Sequence, residues 1–505
     1  MKMKKLFTAL FAAVLGLSAI NAETKITAPV TGKGTPKYVF VFVGDGMSYP
    51  QIQSAAYYAG KDAAGIVDKV KKSENASDSP EMKALSFYQF PVAGSASTYD
   101  ATSFAPDSAS TATSIFTGYK THSSSINVDI TKKIKYRTIA EQLRDQKKYK
   151  VGVISTVNLN HATPAATYAH QASRKSNYPI GLELVASNFD YFAGGALMDP
   201  QDKNKDKTSI YELAKSAGYK VCFDQKSAGQ LKKGDKALVV AETLADSASM
   251  SYDNDRKSGE WALRDYVRKG IEVLENKNGF FMMVEGGKVD WACHANDARS
   301  SIADTLALSE AVDEAIEFYN RHPKETLIIV TADHETGGLT IGYAGTDYNL
   351  FFRTLDGQKI SYAKYDSDYV SDYKKKKTDF ASVMKDVENL FGLKMPGSEG
   401  NDKNGGLVLT DYELGRIKTA YEKTIKKDKS RNQMEYDLYG TYEPLTITIT
   451  HILNAKSGLG WTSNSHTGLP VPVFALGAGQ EEFKGFYDNT EIYKKMANLT
   501  KIVKD

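Results

Sequence analysis

The sequence predicts an α/β protein, a three-layer sandwich built around a large, mostly parallel sheet. Five near-continuous apolar runs have the length and composition of strands that are buried on both faces. Amphipathic helical patterns such as TIAEQLRDQ and IADTLALSEAVDEAIEFY lie between these runs, as expected of crossover helices. The predicted strands are YVFVFVG (38–44), KVGVIST (150–156), FFMMVEG (280–286), TLIIVTA (326–332) and VPVFALG (471–477).

The chain begins with the features of a secretory signal peptide. A lysine-rich start is followed by an apolar stretch over 6–20 and by Ala22 just before Glu23. We therefore expect residues 1–22 to be removed and the mature protein to be periplasmic or secreted. The apolar stretch is short for a membrane span, and no later segment offers the long apolar run that a span requires.

Charge and cysteine content narrow the classes of partner. The chain carries 64 Lys and Arg against 61 Asp and Glu. Three lysines leave with the signal, so the mature chain is close to neutral and offers no electrostatic argument for binding nucleic acid or a membrane. The two cysteines, Cys222 and Cys293, form no disulfide framework. We expect buried thiols, although an exported location permits a bridge.

The composition changes between residues 344 and 460. This stretch is rich in Tyr, Lys and Asp, and it contains a lysine run at 374–377 and the glycine-rich segment MPGSEGNDKNGG. Helical patterns occupy about 380–391 and 410–427, and the second opens with the capping box Thr410-x-x-Glu413. We interpret 344–460 as a cap or crown inserted into a catalytic domain of 23–343 and 461–505. The lysine run predicts a solvated face, with a binding role as the alternative.

Acids and histidines cluster where the predicted strands end. Ligands of open α/β sheets gather at the carboxyl ends of strands. Zinc takes imidazole nitrogen and carboxylate oxygen, whereas magnesium prefers oxygen alone. Each residue has a structural alternative, such as a turn or a surface pair, but together they favour a divalent-metal site. They are Asp45 in GDGM, then Glu285, Asp290 and His294, then Asp333 and His334 in ADHETGG, and His466 in NSHTG.

The segment PDSASTATSIFTGYKT (106–121) places an acid directly before a serine at a predicted helix start. Pro106 and Asp107 suit helix entry, and Ser or Asp makes a good N-cap. A purely structural role for Asp107 and Ser108 therefore stays open on this segment alone.

Six motifs together resemble the alkaline phosphatase family. They are VFVGDGM, DSASTATSIFTG, HATPAA followed by SR, VEGGKVDWACH, TADHETGG and SHTG, and they occur in the family's order. They extend from the first strand almost to the last, and the insertion before His466 lies outside the match. The resemblance implies an exported phosphomonoesterase of broad specificity, which acts on small phosphomonoesters and assembles as a homodimer.

The resemblance also implies a mechanism. Ser108 would be the nucleophile and would form a phosphoserine intermediate. A serine hydroxyl must be activated by a base or a metal, and no GxSxG elbow is present, so metal activation is the better account. The amino end of the helix would favour the phosphate. Arg174 would bind two phosphate oxygens with its planar guanidinium, although a surface arginine is the structural alternative.

Two zinc ions and one magnesium ion are the cofactors that the resemblance implies. The residues assigned to them are Asp290, His294 and His466 for one zinc, Asp45, Asp333 and His334 for the other with Ser108 facing it during attack, and Asp45, Glu285 and Thr163 for magnesium.

Two further positions separate branches of the family. Some members have Asp and Lys where this chain has His161 and Trp291, animal enzymes tend to have His at both, and His with Trp resembles cold-adapted marine bacterial enzymes. Both residues are expected beside the bound substrate, with His161 near the magnesium site rather than on it. The identity of the third metal stays open. Related metal-dependent phosphodiesterases or phosphomutases, a phosphate-binding protein and a structural metal protein are the alternatives.

Overall fold

The computed structural model describes residues 24–30, 32–60, 80–402 and 405–503. The expected signal peptide, 1–22, lies outside these residues. Within the described part of the chain, no helix is long and apolar enough to cross a membrane. Cys222 and Cys293 are buried, free thiols.

All five predicted strands are present, and the described residues form nine further strands. The strands are β1 (Tyr38–Gly44), β2 (Val92–Ser97), β3 (Lys150–Ser155), β4 (Tyr191–Gly194), β5 (Lys220–Cys222), β6 (Ala237–Val240), β7 (Phe280–Glu285), β8 (Thr326–Ala332), β9 (Glu335–Thr336), β10 (Thr340–Ile341), β11 (Leu459–Gly460), β12 (His466–Thr467), β13 (Val471–Gly477) and β14 (Gly485–Asp488).

Ten strands form one sheet in the order β14-β2-β13-β8-β1-β7-β3-β4-β6-β5. The pairings are parallel except those of β13, which runs antiparallel to both β8 and β2. The mostly parallel sheet predicted from the sequence is confirmed. The remaining strands form two short pairs, β10 with β11 and β12 with β9.

Helices cover the sheet, and their apolar sides pack against it. The α-helices are Tyr49–Ala59, Ser108–Thr117, Ile139–Gln142, Ala162–Ala165, Asn177–Ala186, Ile210–Ser216, Gln225–Gly229, Leu263–Leu274, Lys288–His294, Ala298–Arg321, Tyr362–Tyr365, Ser371–Lys376, Phe380–Phe391, Asp411–Ile425, Gln433–Tyr439, Pro444–Ser457 and Thr490–Thr500. The predicted helix TIAEQLRDQ is a short α-helix that continues as a π-helical turn, Leu143–Lys147.

The centre of the core lies under β1, whose seven residues are all buried. Phe318 of the helix Ala298–Arg321 packs on this strand, with ring centroids 4.8 Å from Tyr38 and 5.6 Å from Phe40. Burying an aromatic side chain of this size stabilises a fold by about 1.5–3 kcal/mol. The strand that precedes the first candidate ligand is therefore held rigidly.

The segment 344–460 is mainly helical and shares the core of the sheet. The two predicted helices are present, and the second is capped by Thr410 and Glu413 as expected. Leu445, Ile449 and Leu453, on the helix Pro444–Ser457, belong to the same buried apolar cluster as the sheet.

The lysine run at 374–377 is only partly the solvated face that the sequence suggests. Lys375 and Lys376 are 72% and 71% exposed and pair with Asp372. Lys374 instead forms an ion pair with Glu443.

Candidate metal centre

Three acidic residues converge at one edge of the sheet because the strands before them are parallel neighbours. β1 lies between β8 and β7, and the register pairs Gly44 with Ala332. The carboxyl ends of the three strands therefore coincide. Asp45 and Asp333, which follow β1 and β8, and Glu285, the last residue of β7, are fully buried there.

Two histidines reach this edge from other elements. His466 belongs to β12, which pairs antiparallel with β9 so that His466 lies opposite Thr336. This pairing brings the His466 ring to 3.6 Å from the ring of His334, measured between centroids. His294 ends the helix that follows β7, and its ring centroid lies 4.9 Å from that of His466.

Among the described residues, three groups of side chains are placed to hold metal ions. In each group the potential ligand atoms all lie within 4.8 Å of one another. Asp45 and His334 each belong to two groups, so the three form one continuous centre, and none contains a residue of 344–460. The groups are Asp290, His334 and His466; Asp45, Asp333 and His334; and Asp45, His161 and Glu285.

The three residues predicted for the first zinc lie together. His294 Nε2 is 3.4 Å from Asp290 Oδ2, and His466 Nε2 is 3.5 Å from Asp290 Oδ1. The two Nε2 atoms are 3.1 Å apart. The group of mutually close ligand atoms contains His334 instead of His294, beside Asp290 and His466, and the ring of His334 stacks on that of His466.

The residues predicted for the second zinc also lie together. His334 Nε2 is 3.4 Å from Asp45 Oδ1 and 3.3 Å from Asp333 Oδ2. All three side chains are fully buried. Their two carboxylates and one imidazole match the ligand types that zinc accepts.

The residues predicted for magnesium meet on the other side of Asp45. Thr163 Oγ1 lies 3.5 Å from Asp45 Oδ2, and Glu285 is within the same group. His161 joins Asp45 and Glu285 there. It lies closer to these residues than the sequence predicts, since His161 was expected near the magnesium site rather than on it. The third group therefore offers a nitrogen besides its oxygens.

Unpaired ligand atoms provide a direct test of whether cations fit. Asp45 Oδ1, Glu285 Oε1 and Asp333 Oδ2 are buried and have no hydrogen-bond partner among the described residues. A buried polar group without a partner costs about 1–3 kcal/mol, and more if it is charged. Divalent cations would satisfy these oxygens, so the donor set fits them.

The pKa shifts of the residues in the centre also indicate that cations fit there. Burial raises the pKa of Asp45 well above its ordinary value, and the nearby charge of Asp333 raises it further. Burial also lowers the pKa of His334, which keeps that ring neutral. Burial would likewise lower the pKa of His294, but the charge of Asp290 prevails and raises it to about 9. Crowded, buried carboxylates such as Asp45 and Asp333 need a nearby cation to stay ionised.

Ser108 faces this centre from the first turn of a helix. It is the first residue of the helix Ser108–Thr117, and it is 1% exposed. The N-cap is Asp107, whose side chain accepts a hydrogen bond from the Ser110 backbone N–H at 3.2 Å. Ser108 Oγ lies 3.2 Å from His334 Nε2. The capping function thus belongs to Asp107, and the serine hydroxyl points into the centre.

Arg174 is tied to the same helix start and is no isolated surface arginine. Its Nη1 donates to Asp107 Oδ2 and its Nη2 donates to His161 Nε2, both at 2.9 Å. Burial would raise the pKa of Asp107, but Arg174 and hydrogen bonds lower it to about 2. Burial and the charge of Arg174 lower the pKa of His161 to about 3.

Trp291 extends this chain of contacts to a buried lysine. Its ring lies edge-on to His161 with centroids 5.8 Å apart. Lys288 Nζ lies 4.8 Å from the Trp291 ring and 3.7 Å from the Tyr252 ring. The fully buried ammonium donates to Asp246 Oδ1 at 2.7 Å. The Lys288 ammonium is therefore fixed behind Trp291. Sequence reasoning missed this cation, although Lys288 stands in the motif VEGGKVDWACH.

Sequence reasoning also missed the groups that orient the ligands. His294 Nδ1 donates to the Asn464 carbonyl at 2.7 Å, and His466 Nδ1 donates to the Pro106 carbonyl at 2.6 Å. Both histidines therefore turn Nε2 toward the centre, as metal-binding histidines commonly do. Backbone acceptors of this kind leave no signal in the sequence.

Two hydroxyls hold carboxylates in the same way. Thr336 Oγ1 donates to Asp290 Oδ1 at 2.5 Å, and Ser155 Oγ donates to Glu285 Oε2. Both hydroxyls lie near the ends of strands, as the candidate ligands do. Ser155 ends β3, and Thr336 lies two residues after His334. Attention to hydroxyls at strand ends would have found them.

Known proteins share this architecture over nearly the whole chain. The sequence model of the alkaline phosphatase family matches residues 36–502. Alkaline phosphatase 4 of Bacillus subtilis is 30% identical over 491 residues, which cover 95% of this chain and 92% of that protein.

Two solved structures are similar in fold. The cold-active alkaline phosphatase of a psychrophilic Shewanella has a TM-score of 0.72 and 26% identity, covering 92% of this chain and 99% of that chain. A mutant of the alkaline phosphatase from the Antarctic bacterium TAB5, solved with Mg bound in its M3 site, has a TM-score of 0.61 and 23% identity, covering 94% and 100%. Because the family match spans both the sheet and every element that contributes to the centre, the chain belongs to the alkaline phosphatase family and is a phosphoric monoester hydrolase.

Proposed function

We propose that this protein is an exported phosphomonoesterase of broad specificity that acts through a phosphoserine on Ser108, at a centre of two zinc ions and one magnesium ion. The observation that carries the proposal is the position of Ser108 Oγ, 3.2 Å from His334 Nε2 at the amino end of a helix. A serine placed only to cap that helix would not face a cluster of imidazoles and carboxylates.

The residues are assigned by ligand type and by the contacts described above. Zinc suits the mixed nitrogen and oxygen sets, and magnesium suits the oxygen-rich one. The magnesium assignment is supported by the TAB5 mutant structure, which has Mg bound in its M3 site. The sets are Asp290, His294 and His466 for the first zinc, Asp45, Asp333 and His334 for the second, and Asp45, Glu285 and Thr163 for magnesium.

When bound, the cations supply Lewis acidity that stabilises charge on the attacking and leaving oxygens. The Ser108 hydroxyl loses its proton as Oγ attacks phosphorus, and a new O–P bond forms as the bond to the leaving oxygen breaks. The leaving oxygen takes up a proton and departs as the alcohol. The backbone N–H groups at the start of the helix Ser108–Thr117 face the transferring phosphoryl group and favour its negative charge. Water then cleaves the phosphoserine, which releases phosphate and restores the hydroxyl.

Arg174 binds the phosphoryl group in this scheme. Its guanidinium is held at 2.9 Å by both Asp107 and His161, so its fork is oriented before substrate arrives. Because contacts are made to the phosphoryl group, the alcohol part of the substrate can vary, which favours broad specificity. Trp291 packs against His161. This contact limits how far His161 and the Arg174 side chain bonded to it can move.

The proposal also covers location and assembly. The composition of residues 1–22 supports export to the periplasm or the medium. Family membership supports a homodimer of two catalytic domains, each comprising 23–343 and 461–505, with 344–460 as a cap or crown. The cap contributes to the core but supplies none of the assigned ligands.

A comparison of 4-nitrophenyl phosphate with bis(4-nitrophenyl) phosphate tests the reaction class. We expect the monoester to be hydrolysed far faster than the diester, and chelator to abolish both activities. Elemental analysis should find two zinc and one magnesium per chain. Faster hydrolysis of the diester would assign the protein to the phosphodiesterase branch, and activity that survives full metal removal would refute the metal-dependent mechanism.

A further inference from the structure

A cleft in the segment 344–460 has no part in the chemistry described so far. Its volume is about 530 Å³, within the range of small-molecule sites. Five basic and two acidic side chains line it, which leaves a formal charge of +3. We call it the basic cleft, and its cations are Lys374, Lys423, Lys427, Lys429 and Arg431.

The two acids of the basic cleft are already neutralised by close partners. Glu443 forms an ion pair with Lys374 and accepts a hydrogen bond from Thr424 Oγ1 at 2.6 Å. Asp428 lies 3.0 Å from Lys423 Nζ, which also pairs with Glu435 at 2.8 Å. The positive charge that remains belongs to other residues of the cleft.

That remaining charge is available to a ligand. Lys427 and Lys429 are exposed and form no ion pair with any described residue. Arg431 donates to three backbone carbonyls, through Nη1 to Ser430 at 2.9 Å and Asp428 at 3.3 Å and through Nη2 to Tyr442 at 3.2 Å. The ammonium groups of Lys427 and Lys429 are therefore the donors that the cleft offers to a multiply charged anion.

The basic cleft adjoins the metal centre. Gly440 lines the cleft, and a Cβ built on it would lie 2.7 Å from Asn464 Oδ1. The backbone carbonyl of Asn464 accepts the Nδ1 hydrogen bond of His294, at 2.7 Å. Only one residue therefore separates the lining of the cleft from an assigned ligand of the first zinc.

We propose that the basic cleft binds a second phosphate group carried on the leaving group of the substrate, so that the enzyme prefers bisphosphorylated to monophosphorylated esters. This inference rests on the proposed phosphomonoesterase function, because it concerns the part of the substrate beyond the reacting phosphoryl group. A phosphate dianion matches several separate donors better than a single carboxylate does, and a cavity of about 530 Å³ has room for it.

A series of alkanediol phosphates provides the test. For each diol, from propanediol to decanediol, kcat/KM is measured for the monophosphate and for the bisphosphate. We expect the bisphosphate to exceed the monophosphate by clearly more than the statistical factor of about two at one or more chain lengths, and this excess to fall as salt is raised. A factor of about two at every length would overturn the proposal. Failure to hydrolyse any monophosphate would instead refute the proposed function.

Variants locate the effect in the cleft. Lys427→Ala with Lys429→Ala should lower kcat/KM for the preferred bisphosphate by about three- to tenfold and change that of the monophosphate by less than about 1.5-fold. The matched control is Lys375→Ala with Lys376→Ala, which removes the same charge from exposed side chains outside the cleft. Equal losses in both variants, or for both substrates, would contradict the proposal.

Free phosphate shares the chemistry of a substrate phosphate, so it needs its own measurement. If the cleft holds free phosphate instead, the Lys427 and Lys429 variant will show weaker inhibition of monophosphate hydrolysis by inorganic phosphate and an unchanged preference for bisphosphates. That combination would overturn the proposal. Unchanged inhibition with a reduced bisphosphate preference would support it.

Discussion

The metal centre and the basic cleft hold their charges in opposite ways. In the centre, carboxylates at the ends of β1, β7 and β8 are fully buried and depend on partners from distant parts of the chain. In the cleft, Lys427 and Lys429 are exposed to solvent. Buried charges are strongly coupled, whereas exposed ones act almost independently. Substitutions in the two regions should therefore differ sharply in size.

The largest effect is expected for Ser108→Ala. Loss of the nucleophile should lower turnover by roughly 10³-fold or more, while the fold and zinc content stay nearly intact because the hydroxyl is small and lies at a helix end. Mass spectrometry of acid-quenched enzyme should lose the phosphoserine signal. Ser114→Ala is the control, since Ser114 is buried on the same helix and donates only to the Ser110 carbonyl. Wild-type turnover in Ser108→Ala would remove the role assigned to Ser108.

The double replacement His161→Asp with Trp291→Lys should have the next largest effect. A carboxylate in place of the neutral His161 favours magnesium, and a lysine adds charge toward phosphate, so both should bind more tightly, magnesium by about 10- to 100-fold. Turnover falls if phosphate release limits the rate. Metal titration and phosphate inhibition measure the two affinities, and each single replacement separates the contributions. Unchanged affinities would show that these residues do not tune the site.

Lys288→Met tests the effect of removing a buried charge at a residue that is not an assigned metal ligand. The fully buried ammonium pairs with Asp246, which is 33% exposed, so its loss should lower the free energy of unfolding by about 1–3 kcal/mol. Lys375→Met, at a side chain that is 72% exposed, should change it by less than about 0.5 kcal/mol. Denaturant unfolding measures both. Equal values would show that burial does not set the size of these effects.

The smallest effect is expected inside the segment 344–460, at the half-buried Asp366. Burial raises its pKa to about 7, and Thr446 donates a hydrogen bond to it. The folded state therefore holds this proton more tightly than the unfolded chain, and stability falls as pH rises from about 4 to 7 and then levels off. Asp366→Asn should raise the unfolding free energy by about 1–2 kcal/mol at pH 8 and by little at pH 4. A difference that does not depend on pH would refute this.

The acids of the candidate metal centre could be placed from the sequence because they follow strands. Parallel strands with near-continuous apolar sequence are visible in the sequence, and their carboxyl ends must meet, so the sequence alone places Asp45, Glu285 and Asp333 together. The antiparallel pairing of β13 with β8 and β2 could not be predicted, because a buried strand has the same apolar pattern in either direction. Short strands such as β5, with three residues, carry too little pattern to stand out.

The basic cleft was not predictable for a related reason. Its charges come together through tertiary packing, as when Lys374 meets Glu443 across 69 positions of the chain. The sequence suggested a solvated face for the whole run, and the structure agrees for Lys375, Lys376 and Lys377 but not for Lys374, which is partly buried. The closer position of His161 was missed for the same reason, because nothing local to HATPAA shows how near it lies to Glu285.

The pairing of β12 with β9 also determines when the metal centre can be completed. Asp45 follows the first strand, yet the first group of the centre is incomplete until His466 has joined Asp290 and His334. The chain from Asp45 to His466 must therefore be present before the centre can close, and contacts this distant in sequence form late and slowly. A chain that stops before His466 would lack one of the assigned ligands altogether.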